Sequence, residues 1–102
     1  MDKEMKQYMV QIMLSPNLGE DFMEIVPYHR MYINELMERG AISTYAINVE
    51  RSMGWINMKG RDEEEIESYV RKFPIFRFLT YEINELMIYD NEAYRIPKMS
   101  LN

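Results

Sequence analysis

Cysteine is absent from the chain, and histidine occurs once, at position 29. Those two shortages exclude disulfides, thiolate metal centres, cysteine nucleophiles and zinc sites built from clustered histidines. No apolar run approaches the ~20 residues needed to cross a bilayer. The start, Met1-Asp2-Lys3-Glu4, is charged and is not followed by a signal-peptide core, so the cytoplasm is the expected location. Positive charge is also scarce: 12 Lys and Arg stand against 17 Asp and Glu, a formal net charge of -5, and the cations are scattered. A surface that follows phosphates needs clustered cations, so neither nucleic acid nor membrane is expected as a partner. No internal repeat or low-complexity segment is present.

What remains is the composition of a globular protein. Hydrophobic residues make up 47% and charged residues 28% of 102 residues, room for one domain that buries roughly 60–65% of its unfolded surface. Residues 1–88 carry the periodic segments. Residues 89–102 form a C-terminal tail that includes Ala93-Tyr94-Arg95-Ile96-Pro97 but has no periodicity, and it reads equally as a disordered end or as an arm over a partner.

Within the domain, Gln7 to Leu14 is rich in strand formers and stops at Ser15-Pro16-Asn17. Phe22, Ile25, Val26, Ile33, Leu36 and Met37 recur at helical spacing before Gly40, which stands where a helix-terminating glycine belongs. Pro27 interrupts this pattern. A short turn from Gly19 to Val26, followed by a main helix that begins at Pro27, accommodates its missing donor. Glu35 and Arg39 then pair on the outer side. Ala41 to Val49 and Gly54 to Gly60 alternate like strands around the hairpin Glu50-Arg51-Ser52-Met53. Asp62 and Glu65 form a capping box for a helix whose buried stripe is Ile66, Tyr69, Val70 and Phe73, and Pro74 ends it. Arg77 to Met87 is the last strand, with Leu79, Tyr81, Ile83, Glu85 and Met87 on one side.

The order β, α, β, β, α, β predicts an α+β, ferredoxin-like fold: a four-stranded antiparallel sheet with two helices on one face. The other face is expected to carry Met9, Gln11, Met13, Thr44, Ala46, Asn48, Trp55, Asn57, Lys59, Phe78, Thr80 and Glu82. Because that set includes Trp55, Phe78, Met9 and Met13, a sheet-to-sheet homodimer is expected to cover it. A monomer with an open face, or one crossed by its own tail, is the alternative.

Two stretches resemble known families. Pro27-Tyr28-His29-Arg30-Met31-Tyr32-Ile33-Asn34-Glu35-Leu36-Met37-Glu38-Arg39-Gly40-Ala41-Ile42 is similar to the helix-to-strand segment of YCII-related proteins. Lys72-Phe73-Pro74-Ile75-Phe76 and Tyr81-Glu82-Ile83-Asn84-Glu85-Leu86 resemble the end of muconolactone isomerase-like proteins. Both families belong to the dimeric ferredoxin-like α+β barrel group, and the resemblance spans about residues 6 to 88. It implies two sheets face to face, helices outside, a pocket between helix and sheet, and proton transfer on a small lactone or cofactor-free chemistry. YCII-related proteins pair a histidine on the first helix with an acid on the second strand. His29 matches that histidine, but Ser43 to Val49 holds no acid and the next carboxylate is Glu50.

His29 falls on the buried stripe, and an imidazole there suits acid or base work as well as a hydrogen-bonded place at the core's edge. Tyr45 and Tyr81 fall on the helix-facing side, where their hydroxyls meet either a ligand or an ordinary acceptor; Tyr32 and Tyr69 are weaker candidates. Arg51 and Arg77 are candidates for holding a substrate carboxylate, with solvated surface positions as the alternative. Asp62-Glu63-Glu64-Glu65 complements a helix dipole and needs no metal. The 11 methionines suit an adaptable pocket and an ordinary core equally. The functional expectation is therefore a domain that binds a small apolar or acidic molecule or acts on it without a cofactor, with a non-catalytic dimerising module as the alternative.

Overall fold

A computed structural model describes residues 4–90. The elements are β1 (Lys6–Leu14), α1 (Glu20–Glu38), β2 (Ile42–Ile47), β3 (Met53–Gly60), α2 (Glu63–Arg71), a 3-10 turn at Phe76–Phe78 and β4 (Leu79–Leu86). All neighbours in the sheet are antiparallel, and the strand order is β2-β3-β1-β4. This is the ferredoxin-like α+β arrangement expected from the element order. No helix among the described residues is long and apolar enough to cross a membrane.

The two central strands supply most of the core. Register sets Tyr8 against Met58, Val10 against Ile56 and Ile12 against Gly54. Alternation turns these residues to the helices, where Ile33 and Leu36 of α1 and Ile66 and Val70 of α2 close over them in one cluster. Burying each such aliphatic side chain contributes roughly 1.5–3 kcal/mol. Gly54 lacks a side chain where Ile47 of β2 crosses, and an added Cβ would stand 2.5 Å from Ile47 Cδ1 and 3.0 Å from the Ala46 carbonyl oxygen.

Helix α1 ends as its glycine predicts. Gly40 has φ 80, its N–H bonds the Met37 carbonyl, and the Ala41 N–H bonds the Leu36 carbonyl, the paired closure of a Schellman motif. The start of α1 differs from expectation, since one continuous helix contains Pro27 in its interior. Pro27 and Met23 both lie on the exposed side, where water can meet the carbonyl that loses its donor, so the helix persists. At α2, Asp62 accepts from the Glu65 N–H at 2.9 Å, but the returning Glu65 carboxylate accepts from the Arg61 N–H at 2.7 Å. The capping box is thus displaced by one residue on its return side.

The open face holds Met9, Gln11, Met13, Thr44, Ala46, Trp55, Asn57, Lys59, Thr80 and Glu82, as alternation with the buried Tyr8, Val10 and Ile12 requires. Two residues expected there lie elsewhere. Phe78 belongs to the 3-10 turn, which breaks strand alternation, and packs edge-on against Phe22 with ring centroids 5.2 Å apart. Asn48 lies beyond β2, and its Oδ1 accepts from the backbone N–H groups of Ser52 and Met53. Of the tail, Tyr89 places its hydroxyl 2.8 Å from Ser43 Oγ, and the rest of that expectation lies outside the described residues.

Candidate ligand-binding site

The buried stripe of α1 runs Phe22, His29, Ile33, Leu36. His29 is the one buried polar residue in it, 3% exposed. Across the layer, β2 turns Tyr45 inward beside Ile56. Nε2 of His29 and the Tyr45 hydroxyl meet at 2.7 Å. The edge of the imidazole also packs on Phe73, with centroids 5.3 Å apart at 73°. Its Nδ1 is buried without a hydrogen-bond partner.

Burial pushes His29 down to about 4, and the Arg30 guanidinium adds to the shift. Burial likewise pushes the Tyr45 phenol up to about 12, with Arg30 opposing. At neutral pH both groups are therefore uncharged. One of the two tautomers of neutral His29 leaves a buried N–H without an acceptor at Nδ1; the other leaves only a lone pair there. The second is the cheaper deficit. In it Nε2–H donates to Tyr45 Oη, and the phenolic proton is free to point elsewhere.

The pair sits at the wall of a cleft of about 280 Å³ formed by α1, the end of β1, β2 and the β2–β3 hairpin. Leu14, Phe22, Val26, Ile47 and Ile75 make most of its lining apolar, and Arg30 and Arg51 bring charge to it. The described arginines are Arg30, Arg39, Arg51, Arg61, Arg71 and Arg77. Four of these pair with carboxylates: Arg39 with Glu35, Arg61 with Glu65, Arg71 with Glu67 and Arg77 with Asp21. The two with no ion pair among the described residues, Arg30 and Arg51, are the two that line the cleft.

Of the residues singled out from the sequence, the structure brings His29, Tyr45 and Arg51 together. The other three are engaged elsewhere. The Tyr32 hydroxyl donates to the Tyr69 carbonyl at 3.2 Å, and the Tyr81 hydroxyl donates to Glu67 at 2.6 Å. That bond, its largest cause, raises the Tyr81 pKa and lowers that of Glu67. Arg77 pairs with Asp21 at 3.6 Å and lies over the Phe78 ring. Among the described residues no carboxylate bonds His29, and Glu50 lines an adjoining cavity instead. Arg30 directly follows His29, and because adjacent helical residues do not share a face the buried stripe does not point to it. Phe22 and Val26 were legible as the residues seven and three before His29 on the same stripe.

No group of three or more histidines or carboxylates that could hold a metal occurs among the described residues. Compared with known proteins, the chain matches no family model, and no curated protein aligns with it significantly.

Proposed function

We propose that the chain binds a small, predominantly apolar organic acid in the cleft beside His29 and Tyr45. The observation that carries this reading is the coincidence of an apolar cavity with the two described arginines that hold no carboxylate. Guanidinium groups pair readily with carboxylates, and a cleft with low-dielectric walls strengthens that attraction. The resemblance to muconolactone isomerase-like and YCII-related proteins favours the same ligand class.

The uncharged His29–Tyr45 pair supports recognition ahead of turnover. A neutral imidazole can accept a proton, but one pushed down to about 4 is a weak base at pH 7. In the favoured tautomer Nε2 carries the proton that it donates to Tyr45, so His29 could take the phenolic proton only after a tautomer change, and a bound anion would have to raise the imidazole. No cofactor is invoked, and the cytoplasm is the proposed location.

Thermal denaturation with benzoate, phenylacetate and 3-phenylpropionate tests the reading. A saturable rise in Tm is expected, lost in Ile47→Trp, which fills the cleft from β2. If no member of the series raises Tm, the reading fails.

A second reading, pairing of two copies, has its own observation. On the open face Trp55 is 37% and Met13 48% exposed, and register places Met13 opposite Met53. We propose that a second copy covers this face, forming the sheet-to-sheet dimer.

A further inference from the structure

Two cavities meet at Arg51. The apolar chamber of about 280 Å³ described above is the inner one, and an outer one of about 470 Å³ opens between the β1–α1 loop and the β2–β3 hairpin. Ser15, Glu50 and Ser52 give the outer chamber a polar lining. Leu14, Phe22, Met23 and Arg51 border both chambers, and Arg51 is the only polar member of that shared rim.

The backbone of Arg51 is as unusual as its position. Its φ of 60 makes it the only described residue other than glycine with positive φ. This left-handed region disfavours a side chain with a Cβ, and glycine or asparagine would occupy it more easily. The loop nevertheless holds arginine there: the Arg51 N–H bonds the Asn48 carbonyl at 3.0 Å, and the Asn48 side chain accepts from Ser52 and Met53. A bond from the Leu14 N–H to the Ser52 carbonyl, 2.8 Å, ties the loop to the end of β1. This strain falls on a residue that borders both cavities and has no ion pair among the described residues, the combination expected where a side chain serves a ligand.

Building on the organic-acid reading, we propose that Arg51 anchors the acid group at the junction of the two chambers. The ligand is an amphipathic acid. Its apolar body enters the inner chamber against Phe22 and Ile47, and a hydrogen-bonding substituent beside the acid projects into the outer chamber towards Ser15 and Glu50. A 2-hydroxy acid with an aryl or short alkyl body has this chemistry, whereas an unsubstituted aryl acid uses the inner chamber and the anchor alone.

Calorimetric titration of the whole chain with 3-phenylpropionate and 3-phenyllactate tests the proposal. Both bind the wild type, and the hydroxy acid binds roughly threefold tighter or better, as expected for one added neutral hydrogen bond. Arg51→Gln keeps a Cβ and the backbone demand but removes the guanidinium charge, and it weakens both acids by about tenfold or more. Arg51→Gly weakens them as much while its Tm stays at or above that of the wild type. Smaller losses in both variants overturn the anchor and leave the organic-acid reading standing. Equal affinities for the two acids overturn the outer chamber's role, and a lower Tm for Arg51→Gly overturns the strain account. Silence of both acids on the wild type overturns the proposal and the reading beneath it together.

Discussion

Nε2 of His29 lies 2.7 Å from the Tyr45 hydroxyl, while Nδ1 of the same ring is buried without a partner. The imidazole is thus anchored on one side only, in surroundings that oppose its cation.

Stability should depend on pH through this ring. Its folded pKa, about 4, lies below the ordinary value of 6.5, so the unfolded chain binds the proton first. Well above pH 6.5 neither state is charged and the full stability is present. Between 6.5 and 4 stability falls by as much as about 3 kcal/mol, at 1.4 kcal/mol per unit. Urea midpoints across that range should fall more steeply for the wild type than for His29→Gln, and parallel slopes would count against the assignment.

Gly54 links the sheet to the cleft. Gly54→Ala brings a Cβ against Ile47 Cδ1 and the Ala46 carbonyl, and overpacking of this kind costs about 1–3 kcal/mol. Because Ile47 lines the inner chamber, the variant should also weaken 3-phenylpropionate. Chemical denaturation and calorimetry read the two effects separately.

Pro27→Ala restores a backbone donor within α1 at an exposed position. Helical propensity favours the change by up to about 3 kcal/mol, so a higher Tm is expected. An unchanged or lower Tm would show that the missing donor at Pro27 costs α1 little.

Asp62→Ala removes the oxygen that accepts from the Glu65 N–H. A loss of about 1 kcal/mol is expected from denaturant midpoints, with no change in affinity at the cleft, which α2 does not line.

Pairing of copies has a direct probe. Trp55→Lys puts a charge in the middle of the open face, and light scattering should then report single chains with an unchanged far-ultraviolet circular dichroism spectrum. A wild type that is already single at every concentration removes the dimer.

The fold was largely legible because burial imposes two periods on the sequence. Phe22, His29, Ile33 and Leu36 repeat at helical spacing, and Tyr8, Val10 and Ile12 repeat at strand spacing. Errors arose where a local rule met an exception. The missing donor of Pro27 points to a helix start, but the exposed side of α1 tolerates it in the interior. Carrying β4's alternation back to Phe78 points it to the open face, but Phe76–Phe78 form a 3-10 turn, where that alternation does not hold. The site was legible only in part, for a related reason. Periodicity turns Tyr32, Tyr45 and Tyr81 inward alike, but it does not choose their acceptors. Tyr32 finds a carbonyl, Tyr81 finds Glu67, and Tyr45 finds the histidine 16 residues before it. The unpaired state of Arg30 and Arg51 depends on where every carboxylate lies, which no local pattern encodes.

The shift of register between Ile42 and Thr44 has a bearing on self-association. It leaves β2, an outermost strand, with an interrupted row of outward backbone donors and acceptors, a poor template for a newcomer aligning lengthwise. Fibril-like growth from that border is discouraged by the backbone itself, without help from any side chain.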